Sequence, residues 1–226
     1  MATLTVYPDA NPESTSVDGV IYFRGGGGVA WATVRATADG QTATDSGATG
    51  VFVGSDVSAG AALGLFRGFT LFDTSALPDG ASISAATISL YVNAIYNNDN
   101  DGNDWVNCYE ASTGSNTALA IQDFDSASQA LDSPTALSTQ RDISSGITDD
   151  SYNDWVLNSD GIAVISKTGV TKFGWREGHD VADDSPAQAQ DLTQGFNINF
   201  ADTADTTTDP RLVITYAEFT PKAIFF

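Results

Sequence analysis

"RGFTLFDTSALPDGASISAATISLYV", residues 67–92, reads as two β-strands joined by a built turn. Pro78 presets the backbone for the first central turn position, and Asp79-Gly80 follows with residues that tolerate positive φ. In the strand before the turn, residues 64–73, Leu65, Arg67, Phe69 and Leu71 share one face; Phe66, Gly68, Thr70 and Phe72 share the other. Both rows are largely apolar, so the strand is expected to be buried on both sides, with Arg67 either at a rim or ion-paired. After the turn, Ala86, Ile88, Leu90 and Val92 alternate with Thr87, Ser89 and Tyr91, and the first set marks the core side.

Similar short runs recur outward from this stretch, separated by Gly, Asp, Asn and Ser. "LTVYP", "GVIYFRG", "VAWATVRATA", "GVFVG", "WVNCYEA", the weaker "TALAIQDFD", "GIAVISKTG", "TKFGWRE", "GFNINFAD" and "PRLVITYAEF" are all strand candidates. "DDSYNDWVLN" is the one short helix candidate, capped by Asp149 or Asp150, with Tyr152, Trp155 and Val156 on one side. The regular spacing predicts an all-β chain, specifically a two-sheet antiparallel jelly-roll β-sandwich. We read residues 1–217 as a single domain and residues 218–226 as an apolar carboxy-terminal tail. The glycine-rich "RGGGGVAW" lacks the spacing and helix context of a phosphate loop.

With 226 residues, 42% of them hydrophobic, the chain can bury a core without disulfides or metal. Its balance of 9 basic against 29 acidic residues, a net charge of -20, repels phosphate backbones and argues against nucleic-acid binding. The same charge attracts divalent cations and basic partners. Nearly all of the acid is Asp, which favours turns over helices. One cysteine and one histidine, Cys108 and His179, exclude an intrachain disulfide and multi-histidine metal sites. The amino terminus has no basic stretch followed by an apolar one, and no run is long enough to span a bilayer. The expectation is a chain without a signal peptide, made in a cytoplasm and not inserted in a membrane.

The opening stretch also resembles a known family. Arg67, Phe72 to Ser75, Pro78, Gly80-Ala81, Ile83, Ala86 and Tyr91, followed downstream by Asp209, Pro210, Leu212, Ile214 and Tyr216, resemble the pattern of the DNRLRE-type domain. That domain is a β-sandwich related to carbohydrate-binding modules. "GIAVISKTGVTKFGWREGHD" and "EFTPKAIFF" resemble stretches of phage structural proteins that carry it. The resemblance implies a non-enzymatic protein of the virion surface: a capsid decoration (cement) protein or fibre component of a bacteriophage. Its partners would be capsid or other virion proteins, or further copies of itself. The alternative is a calcium-dependent carbohydrate-binding module that attaches to surface glycans.

Three groups of residues are candidate carriers of function. "NNDNDGNDW", residues 97–105, offers Asp99, Asp101 and Asp104 as ligands for calcium, which takes six to eight oxygens from a wrapping loop. The loop is not an EF-hand, because the position of its bidentate Glu falls on Cys108. Trp105, beside that loop, is the tryptophan best able to stack on a sugar ring. For protein partners, the carriers are Lys167, Lys172 and Arg176, the amino-terminal residues 3–8, and the tail with Phe219, Ile224, Phe225 and Phe226. The tail either folds back as a plug or inserts into a partner. "WREGHD", residues 175–180, gathers Arg, Glu, His and Asp; an ion-pair network holding the last sheet is the expected reading, and no nucleophile accompanies it.

Overall fold

The computed structural model describes residues 1–47, 51–187, 191–203 and 205–218. The strands are β1 (Ala2–Val6), β2 (Asp18–Arg24), β3 (Thr42–Thr44), β4 (Val51–Ser58), β5 (Ala62–Asp73), β6 (Ser82–Asn97), β7 (Trp105–Glu110), β8 (Arg141–Asp142), β9 (Ser151–Val156), β10 (Val170–Glu177), β11 (Leu192–Ile198) and β12 (Arg211–Ala217). Three single-turn helices, α1 (Trp31–Arg35), α2 (Ser159–Ala163) and α3 (Gly178–Ala182), and a 3-10 segment (Ile121–Ala127) complete the described elements. The chain is all-β, as its turn-rich alternating pattern requires.

Backbone pairing runs in the order β1-β12-β6-β11-β4-β5-β10-β7-β8, with β2 also on β5, β3 on β2, and β9 on β6. Every pair is antiparallel. The result is one curled sheet, and no break in the pairing marks off the two sheets of a jelly roll.

The two strands on either side of the Pro78-Asp79-Gly80 turn, β5 and β6, do not pair with each other, and together they make the curl. Along one edge of β5, β4 pairs with its first half (Ala62 to Phe66) and β10 with its second (Gly68 to Asp73), while β2 lines the opposite edge. On β6, β12 takes the first half and β11 the second, with β9 opposite. A strand that changes partners midway turns the sheet a corner, so the sheet wraps around its own apolar face.

That inner face carries Phe72, Ile88, Leu90, Val92, Trp155, Phe173, Trp175, Phe196 and Ile214. Trp155 stacks edge-on against Trp175 at 5.0 Å. A second core lies on the far side of β2 and β5: Ile21, Leu63, Leu65, Phe69 and Leu71, covered by Trp31 and Val34 of α1 and by Phe124 of the 3-10 segment. The double burial of β5 follows from these two cores.

The helix expected at "DDSYNDWVLN" is strand β9 instead. There Asn153 and Trp155 point inward while Asp154 and Val156 point out, a period of two that the Tyr-Trp-Val spacing disguised. The helix comes one step later, where the Asn158 side chain accepts from the backbone N–H groups of Asp160 and Gly161 and starts α2. "GIAVISKTG" therefore begins in α2 rather than in a strand. Within "VAWATVRATA", α1 replaces the expected strand, and its Trp31, Val34 and Arg35 are buried at helical spacing. "TALAIQDFD" leads into the 3-10 segment. Among the described residues no helix is long and apolar enough to cross a membrane.

Candidate functional site

Two neighbouring constellations form around "WREGHD", one closed and one open. The closed one centres on Asp180 of α3, whose side chain is 0% exposed. Arg67 donates to it from Nε (2.8 Å) and Nη2 (2.7 Å), and Arg176 from Nε (2.6 Å) and Nη2 (2.8 Å). Arg35 of α1 approaches from a third side at 3.7 Å and reaches the rim acids Asp132 and Asp183. The spare guanidinium hydrogens go to the carbonyls of Phe124, Arg35, Ala130 and Leu131 and to the Ser128 hydroxyl. Burial alone would raise the Asp180 carboxyl; Arg67 and Arg176 overcome it and hold the group far below the usual carboxylate range. The hub is structural, as the ion-pair reading of this motif expected, and it answers the question of Arg67.

The open constellation begins one residue earlier, at His179. Its Nε2 lies 3.4 Å from Oδ2 of Asp99 and 3.4 Å from Oδ2 of Asp101, and ligand atoms of the three residues all lie within 4.8 Å of one another. Its Nδ1 contacts Oε1 of Glu177, which is fully buried. Burial would lower the imidazole, but Glu177, Asp101 and Asp99 hold it up at about 9. Asp99, Asp101 and His179 form a cluster that could hold a metal ion.

The backbone brings this cluster together from two distant stretches. β6 and β7 are joined by residues 98–104, and α3 follows β10, the neighbour of β7. Gly178 allows α3 to rest directly on this loop: a Cβ there would collide with the Asn103 carbonyl oxygen and press on Trp105. Asn103 Nδ2 donates to Asp184 at 2.9 Å, and Ala187 N to Asp99 Oδ2 at 2.7 Å. His179 is thereby seated over the loop.

Of the predicted cation ligands, Asp99 and Asp101 belong to this cluster and Asp104 does not. The Asp104 carboxylate turns back into its own loop, accepting from Asn100 N at 2.8 Å and Gly102 N at 3.1 Å. It shapes the turn, and His179 takes the third place. A set with one imidazole differs from the all-oxygen loop read from the sequence, because imidazole suits zinc and its first-row neighbours while calcium takes oxygens.

Trp105 is half-buried, whereas Trp31, Trp155 and Trp175 are buried. Lys167 donates to the Ala81 carbonyl (2.5 Å) and Lys172 to that of Thr113 (2.8 Å). Arg176 is inside the Asp180 hub and presents no surface. Phe219, Ile224, Phe225 and Phe226 lie outside the described residues.

One feature escaped the sequence reading. Tyr22, Phe66, Phe52 and Tyr96, from β2, β5, β4 and β6, form a continuous partly exposed aromatic strip with ring centroids 5.0, 5.0 and 5.8 Å apart. Arg24 lies over the Phe66 ring and pairs with Asp56 at 2.5 Å. Each ring occupies an ordinary strand position, so only the lateral order of the strands reveals the strip.

No protein-family model matches the chain, and no curated protein matches it.

Proposed function

We propose that the chain is a non-enzymatic structural protein of a virion surface, a capsid decoration protein or fibre component that works by protein–protein contact. The observation that carries this reading lies at one corner of the sheet. β1 ends the pairing order, with β12 on one side and no strand on the other among the described residues. An unpaired strand edge is a template for another chain. Ala2 pairs with Tyr216, so the end of β12 lies beside that edge, and the apolar residues 219–226 that follow in the sequence lie outside the described residues. The resemblance to phage structural proteins points the same way.

The test is mass spectrometry of purified particles from the native source, combined with a chain truncated after Glu218. The full chain should be present at stoichiometric copy number, and the truncated one should fold yet fail to join particles. Absence from particles overturns the role; full incorporation of the truncated chain overturns the tail's part in it.

A second reading, glycan attachment assisted by a bound cation, draws on the aromatic strip, since sugar rings stack on such faces. Calcium is the ion an acidic loop alone suggests, and zinc is the ion suggested by the imidazole. Glycan arrays run with each, and with Phe66→Ala and Tyr96→Ala, separate this reading from the first.

A further inference from the structure

We propose that Asp99, Asp101 and His179 bind a first-row transition-metal dication of the zinc class, with Glu177 as the outer partner that orients the imidazole.

The donor set comes first. One imidazole and two carboxylates suit zinc, cobalt or manganese, whereas calcium seeks six to eight oxygens. The spacing agrees: ligands held at about 2.0–2.1 Å on a tetrahedron stand about 3.3–3.4 Å apart. His179 Nε2 stands 3.4 Å from each carboxylate oxygen.

Glu177 supplies an independent observation. It is fully buried and engages Nδ1 through one oxygen, while Oε2 has no hydrogen-bond partner among the described residues. Nδ1–H donation to a carboxylate leaves the Nε2 lone pair free for a metal and makes it more basic, the usual outer arrangement of metal-bound histidines. Three carboxylates thus gather around one imidazole, and a dication neutralises most of that charge.

The surroundings suit entry as well as binding. The Asp99 side chain is 4% exposed and that of Asp101 37%, so one side of the cluster faces water. Water completes the coordination there. The ion would clamp the loop of residues 98–104 to α3, two stretches that otherwise share only a few hydrogen bonds. The site is independent of any role on a particle.

The experiment uses the full chain stripped with a chelator and titrated with Zn²⁺, Co²⁺ and Ca²⁺ separately, by calorimetry and thermal melting. Zn²⁺ should bind one to one and raise the melting temperature. Co²⁺ should give the visible bands of a four-coordinate ion, and Ca²⁺ at the same concentration should do neither. Asp101→Asn, a change at a partly exposed position, should fold as the parent does and lose the Zn²⁺ response. Glu177→Gln should bind about 10- to 100-fold more weakly. The proposal is overturned if Zn²⁺ leaves the parent unchanged, if Asp101→Asn retains its affinity, or if Ca²⁺ gives the larger shift.

Discussion

Arg67 of β5 and Asp180 of α3 meet as a doubly bonded pair inside the protein, Nε to Oδ2 at 2.8 Å and Nη2 to Oδ1 at 2.7 Å, with side chains 2% and 0% exposed. Arg176 holds the same carboxylate, so one acid serves two guanidinium groups directly. Asp180→Ala would leave buried arginines without their countercharge. Such a loss costs about 3–5 kcal/mol, and the urea midpoint should fall accordingly. Replacing the exposed Asp132, a rim partner of Arg35, should cost less than about 1 kcal/mol.

Asp209, just before β12, has the opposite electrostatics. Burial first, then Asp205 and Asp202, raise its carboxyl from 3.8 to about 6. Oδ1 is buried without a hydrogen-bond partner among the described residues. A carboxyl raised in the folded state binds more protons there than when unfolded, between pH about 4 and about 6. Its contribution to stability therefore falls as pH rises through that window and stays low above it. Asp209→Asn should raise the melting temperature at pH 7 and flatten its slope from pH 4 to 7. Asp18, buried and shifted the same way, should preserve part of that slope.

Gly195 of β11 faces Gly54 of β4, and both have positive φ, 149° and 151°. A Cβ on Gly195 would collide with the Val53 carbonyl oxygen, which cannot move without breaking the ladder. Gly195→Ala should lower stability by about 1–3 kcal/mol through backbone strain, with overpacking adding to it. Chemical denaturation measures the loss.

Cys108 is fully buried in the inner core, and burial pushes its thiol up to about 12. Thiolate is the reactive form, so the native protein should not react with an aromatic disulfide reagent at pH 8. Labelling should follow urea unfolding and coincide with the loss of tryptophan fluorescence. Rapid labelling without denaturant would contradict this packing.

The sequence by itself determined the all-β class, the two strands β5 and β6 on either side of Pro78-Asp79-Gly80, the core row Ala86-Ile88-Leu90-Val92 and the double burial of β5. These are local properties: alternation and turn chemistry act between near neighbours. Single-turn helices were harder to read, because five residues carry too little periodicity; α1 looked like a strand and β9 like a helix. Tertiary structure alone decided how β5 and β6 change partners, and with that which distant residues meet. It turned Asp104 inward to shape its loop and replaced it with His179, separated by 78 positions from Asp101. It drew Arg176 out of a supposed surface strip into the Asp180 hub, and it aligned Tyr22, Phe66, Phe52 and Tyr96 across four strands. No local pattern encodes such meetings, because they depend on the order of strands in the sheet, which the balance of burial and pairing over the whole chain selects.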